Sequence, residues 1–194
     1  MAKEKGTGDR PVVGVDLGGT KVLAGVVSPT NEIMATAKRA TKAEAGVDTV
    51  VERLVKTVRD AVSNAGLELG DIAAVCSAAP GPLDPEAGVV RNAPNLPGWD
   101  RVPVVEIISG ATGLPARLEN DANAGAVAEF LYGAGRGLKH ICYMTMGTGI
   151  GGGIVSEGRV FRGAFGMAGE IGHVTIVRDG RLCSCGQRGC LQAY

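Results

Sequence analysis

VGVDLGGTKVLAGVV, residues 13–27, is an apolar strand that runs into a Gly/Thr turn and returns as a second apolar strand. Pro11–Gly18 predicts the outgoing strand and Val22–Ser28 its hairpin partner. Downstream, Glu32–Ala40 alternates as a third strand. From 47 to 62 the apolar residues fall at 47, 50, 51, 54, 55, 58, 61 and 62, which is helical spacing, and Gly66 ends it. Ile72–Ala78 predicts a buried strand, with Pro80–Gly98 as a long loop. Pro103–Gly113 predicts a helix with Pro near its start and Gly at its end. ARLEN (116–120) is a short strand, followed by a helix from Asp121 to about Tyr132. His140–Gly147 then opens a second strand–turn–strand unit. The alternation predicts an α/β fold, with Cys76 and Cys142 as small core residues on strands.

Composition excludes several classes. The 194 residues carry 20 basic and 20 acidic side chains and are 45% hydrophobic. A neutral chain without a basic run argues against nucleic acid or an acidic membrane as main partner. No apolar run reaches the roughly 18 residues of a membrane span. Residues 1–10 are polar, lack a signal-peptide apolar core and predict a flexible leader. A cytoplasmic location is therefore expected. In a reducing compartment a cysteine cluster favours metal or catalytic use over a structural disulfide.

That cluster is CSCGQRGC, residues 183–190, which holds three of the five cysteines. The spacing lets one turn supply Cys183, Cys185 and Cys190, with Gly186 and Gly189 folding the backbone back between them. His173, in the predicted strand HVTIV (173–177), is the candidate fourth ligand. Four protein ligands would make a closed, structural zinc site. Reduced thiols without metal are the plain alternative.

The opening hairpin has an echo in YMTMGTGIGGGIV (143–155), again strand, Gly/Thr turn, strand. Two such turns could grip a polyphosphate through backbone amides that glycine leaves accessible. Asp16, just ahead of the first Gly pair, suits a magnesium ion or its waters. In ENDANAGA (119–126), Asp121 stands at a helix start. It is either a cap or a general base for a substrate hydroxyl. GMAGEIGH (166–173) places Glu170 three residues before His173 amid glycines that allow close approach to a small ligand. NAPNLPGW (92–99) offers an amide and an indole for a polyol, although Trp99 could equally staple the loop to the core.

Taken together, DLGGTK, ENDANAGA, MGTGIGGGI, GMAGEIGH and CSCGQRGCL follow one another in an order that resembles the ROK sugar kinases, a group that also contains transcriptional repressors. The resemblance runs from Pro11 to Tyr194 and is nearest to bacterial glucokinases. It implies an actin-like ATPase (ribonuclease H-like) fold of two lobes, here 11–119 and the first part of a second lobe at 120–194. It implies ATP with Mg2+ as donor and the 6-hydroxyl of a hexose, glucose above all, as acceptor. The roles it implies are Asp16 beside the magnesium, with Gly18, Gly19, Thr20 and Lys21 at the first phosphate turn and Gly147, Thr148 and Gly149 at the second. For the sugar they are Asn95, Asn120, Asp121, Glu170, His173 and the position of Gln192, with Asp121 as base. His173, Cys183, Cys185 and Cys190 hold zinc, which clamps the sugar-binding loop. Homodimers are common in the group.

Three departures from the pattern stand out. Gln192 occupies a position where glutamate is usual, and an amide accepts fewer hydroxyl hydrogen bonds. CSAAPG (76–81) replaces a glycine-rich turn. Relatives of this kind continue past the point corresponding to Tyr194, so the second lobe is expected to be truncated and this chain alone to be a poor kinase. The alternatives are a non-catalytic sugar-binding protein and, less favoured, a regulator.

Overall fold

The structure is a computed structural model that describes residues 7–93, 95–147 and 149–194. The chain forms two compact units, dividing after Asp121.

In the first unit, β1 (Val12–Leu17), β2 (Lys21–Val27) and β3 (Ile33–Ala40) form an antiparallel meander. Helix α1 (Val47–Asn64) follows, then β4 (Val75–Ala79), β5 (Leu83–Asp84), β6 (Val89–Asn92) and β7 (Asp100–Val102). Helix α2 (Val104–Thr112) and β8 (Ala116–Asn120) complete it. The main sheet has the order β3-β2-β1-β4-β8, with β4 and β8 parallel to β1.

Strand periodicity assigns the two faces. Val13, Val15 and Leu17 of β1 are buried, while Asp16 lies exposed on the opposite face. Helix α1 lays Val50, Leu54, Val58, Ala61 and Val62 on the buried face, against β2 and β3. Each of the valines and the leucine contributes about 1.5–3 kcal/mol of hydrophobic stabilisation. Arg39 of β3 forms an ion pair with Asp60 of α1 across this contact. The chain leaves α2 through Gly113 at φ 72, a left-handed conformation that glycine adopts without a β-carbon penalty.

Several expectations change. The Pro80–Gly98 segment carries β5 and β6, which join β7 in a small antiparallel sheet. Trp99 is 2% exposed within the core cluster, so it staples this region and does not present its indole to a ligand. Cys76 and Cys142 are exposed, because each alternates onto the non-core face of its strand. At the N-terminus, Thr7–Asp9 forms a 3-10 turn and Arg10 donates to the Gly70 carbonyl at 3.4 Å, while residues 1–6 lie outside the described part.

The second unit holds the body of α3 (Asp121–Tyr132) and the hairpin β9 (His140–Met146) and β10 (Ile150–Ser156), with β11 (Arg159–Val160) on the far side of β10. Helix α3 sits directly on β10. A β-carbon added to Gly153 would lie 2.7 Å from the Ala122 carbonyl oxygen and 2.8 Å from the Ala126 β-carbon. Beyond β11 the chain runs in turns. HVTIV is no strand: Ile171–His173 is a 3-10 turn, and Thr175 makes a single bridge to Cys190. The Ile176 and Val177 amides both turn to the Gly189 carbonyl, at 2.8 and 3.3 Å, which closes a knuckle instead of extending a ladder.

Candidate functional site

The first glycine turn is tied at three points. The Gly18 amide donates to the Lys21 carbonyl at 3.0 Å. Thr41, fully buried, donates from its hydroxyl to the Gly18 carbonyl at 2.5 Å and from its amide to the Thr20 carbonyl at 2.9 Å. Gly19 is required by close approach, since a β-carbon there would collide with the Asn95 carbonyl and come within 2.9 Å of the Asn95 β-carbon. The turn and the Asn95 loop therefore touch, two candidate regions separated by 76 positions in the chain.

Beside this turn lies an open depression of about 430 Å3 lined by Thr20, Lys21, Lys38, Arg39 and Ala40. The pairings Lys21↔Ala40 and Leu23↔Lys38 put Lys21 and Lys38 on the same sheet face as Asp16, which pairs with Leu23. Lys38 and Thr41 were not singled out from sequence, because only the strand register brings them here. Asn120 ends β8 and Asp121 is the first residue of α3, exposed. A carboxylate in the first turn of a helix is favoured by the helix dipole. A β-carbon on Gly81, in the CSAAPG turn, would lie 3.5 Å from the Asn120 side-chain nitrogen.

In the second unit the β9–β10 turn closes through the Gly147 amide, 2.9 Å from the Gly149 carbonyl oxygen. Thr148 lies outside the described residues. His173 faces two ways. Its Nδ1 is 3.7 Å from Cys183 Sγ, and its Nε2 is 4.0 Å from the Glu170 carboxylate. That second separation is longer than a hydrogen bond.

The ligating atoms of His173, Cys183, Cys185 and Cys190 all lie within 4.8 Å of one another. Cys183 and Cys190 are buried and Cys185 is exposed. Gly186 at φ 90 and Gly189 at φ 80 allow the reversal that collects them. The thiols differ in acidity. The Cys185 amide, with help from Gln192, Cys185 Sγ and His173, brings Cys183 down to about 6. Burial, and then the neighbouring thiols, push Cys190 up to about 11. Three sulfurs and one imidazole match the donor set of structural zinc and fill a tetrahedron, leaving no open position. The residues present fit that metal.

Gln192, a candidate sugar contact, has three partners among the described residues. Its Nε2 donates to Cys183 Sγ at 3.3 Å and to Ser184 Oγ at 3.1 Å, and its Oε1 accepts from the Ile150 amide at 3.4 Å.

Residues 12–194 match the profile of the ROK family. The chain is 42% identical over 185 residues to a glucokinase of Thermotoga maritima, an alignment covering 94% of this chain and 56% of that protein. It superposes with a TM-score of 0.81 on the crystal structure of a ROK family glucokinase from Streptomyces griseus in complex with glucose and AMPPNP, at 39% identity, covering 95% of this chain and 56% of that one. It is also 34% identical over 183 residues to a putative xylose repressor of Caldicellulosiruptor, covering 94% of this chain and 46% of that protein. The chain thus spans about half the length of the curated relatives it matches.

Proposed function

The chain belongs to the ROK family, and on that premise we propose that it transfers the terminal phosphoryl group of ATP to the 6-hydroxyl of a hexose, glucose foremost, in a cytoplasmic setting. Its fold is the actin-like ATPase fold of its structural neighbours. In the first unit, Asp16 would hold magnesium, or waters on it, while the strapped turn Gly18–Lys21 offers backbone amides and an ammonium to phosphate oxygens. Asn95 and Asn120 would hydrogen-bond sugar hydroxyls, and Asp121 would take the proton of the attacking hydroxyl. In the second unit, Gly147 to Gly149 would form the other phosphate turn, and Glu170 and His173 would contact the sugar. Bound nucleotide and magnesium would supply the transferable group and neutralise its charge.

Zinc on His173, Cys183, Cys185 and Cys190 would act as a clamp. It would hold the short segment that carries Glu170, and it supplies no water to the reaction because its positions are filled. The observation that carries the kinase reading is Asp121 itself. It is an exposed residue at the first position of α3, straight after β8, where its carboxylate can meet a hydroxyl.

The test is an assay with ATP, magnesium and a hexose panel, following sugar phosphate and ADP. Glucose-dependent ADP release matched by glucose 6-phosphate supports the reading. Sugar binding without phosphate transfer, in protein that binds nucleotide, would instead favour a sugar-sensing regulator, the reading supported by the repressor relative.

A further inference from the structure

We infer that Thr41 is a positioning residue for the first phosphate turn: its buried hydroxyl orients the Gly18–Gly19 peptide so that the Gly19 amide faces a phosphate chain. This rests on the phosphate-turn reading above and extends it to a residue outside the DLGGTK stretch.

Thr41 directly follows β3 and is fully buried. Strand alternation puts it on the side of Arg39, which pairs with Asp60 of α1. Its hydroxyl donates to the Gly18 carbonyl at 2.5 Å, and its amide donates to the Thr20 carbonyl at 2.9 Å. The two bonds differ in what they ask of the sequence. Any residue with an N–H can make the second, whereas the first needs a side-chain hydroxyl. A trans peptide unit is planar, with its C=O and N–H pointing in opposite directions. Drawing the Gly18 carbonyl toward buried Thr41 therefore aims the Gly19 N–H away from the core. On that side stand Asp16, Lys21 and Lys38, set on one sheet face by the pairings Asp16↔Leu23, Lys21↔Ala40 and Leu23↔Lys38. An amide turned toward a face with two ammonium groups suits an anionic phosphate chain.

The anchor is itself held. Arg53 of α1 donates from Nε to the Ala40 carbonyl at 2.5 Å, which ties the end of β3 to the helix. Thr41 thus passes the rigidity of β3 and α1 to a pair of glycines that have little of their own. Without the hydroxyl, the Gly18 carbonyl loses its buried donor and the peptide is free to rotate. A turn that holds the binding geometry for only a fraction of the time binds more weakly by that fraction.

The experiment uses magnesium tripolyphosphate, which carries the phosphate chain of ATP without the nucleoside. Calorimetry gives its Kd for the parent, Thr41→Val and Thr41→Ser, with Tm recorded for each. Amide NMR shifts of isotope-labelled parent show which residues respond to the ligand. The Gly19 amide should be among those that move most. Thr41→Val should bind about three- to tenfold more weakly, and Thr41→Ser, which keeps the hydroxyl, within about twofold of the parent. Should Thr41→Val not fold, the Gly19 shift and Thr41→Ser decide. A parent that binds no tripolyphosphate overturns the phosphate-turn reading and this inference together. A parent that binds it with the Gly19 amide unmoved overturns this inference alone. So does a folded Thr41→Val of unchanged affinity, or a Thr41→Ser that weakens as far as Thr41→Val, which would make the role one of packing.

Discussion

Cys185 Sγ and Cys190 Sγ lie 3.7 Å apart, well beyond the roughly 2.05 Å of a disulfide bond. With His173 Nδ1 3.7 Å from Cys183 Sγ, the knuckle is arranged around a common centre. Protein purified under reducing conditions should hold about one zinc per chain, and a strong chelator should lower its Tm. Structural zinc sites contribute an apparent 10–16 kcal/mol or so, coupled to local folding. Elemental analysis without zinc, with an unchanged Tm on chelation, contradicts the site.

Asp121→Asn preserves the shape of the β8–α3 junction but cannot accept a hydroxyl proton. In active protein, kcat should fall by roughly 10²- to 10⁴-fold with KM for sugar changed only a few-fold. A kcat within a few-fold of the parent leaves Asp121 as a helix-start acid and no more.

Gly19→Ala drives a methyl group into the Asn95 carbonyl. Either the first turn or the Asn95 loop must move. Sugar and nucleotide affinities should both weaken, by tenfold or more for at least one, while the knuckle keeps its zinc. Unchanged affinities by calorimetry would mean that the contact between turn and loop has no bearing on the ligands.

Gly153→Ala tests packing in the second unit. The new methyl would meet the Ala122 carbonyl, the Asn123 α-carbon and the Ala126 β-carbon, all within 3.0 Å. Overpacking of this kind destabilises by about 1–3 kcal/mol. Thermal denaturation should show a lower Tm, and an unchanged Tm would contradict the close seating of α3 on β10.

Asp84 gives a pH signature. The Ala87 amide, 3.1 Å away, and the Arg91 guanidinium, 2.6 Å away, hold its carboxyl below the usual carboxylate range. A depressed folded value means that its contribution is present above the ordinary value of about 3.9 and is lost as pH falls through the lower folded one. Asp84→Asn should therefore lower Tm slightly at pH 7 and by less at pH 2. A Tm gap that stays constant between these pH values speaks against the assignment.

Local pattern determined much of this protein. Val13, Val15 and Leu17 alternate with period two, and residues 47–62 repeat with helical period, so β1 and α1 follow from burial alone. Asp121 at the head of α3, and three cysteines gathered by left-handed glycines, were equally legible because a short segment carries all the geometry. What tertiary structure decided lies where partners are distant in sequence. Trp99 is core because it joins one buried cluster with Val90 of β6 and Val102 of β7, although its own loop composition reads as solvent-exposed. Cys76 is exposed because it lies on the face of β4 opposite buried Val75 and Ser77, and a strand's own alternation does not say which face the core takes. The partners of Gln192 were likewise not legible in the sequence. Whether its amide meets a sugar or a sulfur depends on where the knuckle and the β9–β10 turn come together, and no local pattern encodes a contact between positions 42 residues apart.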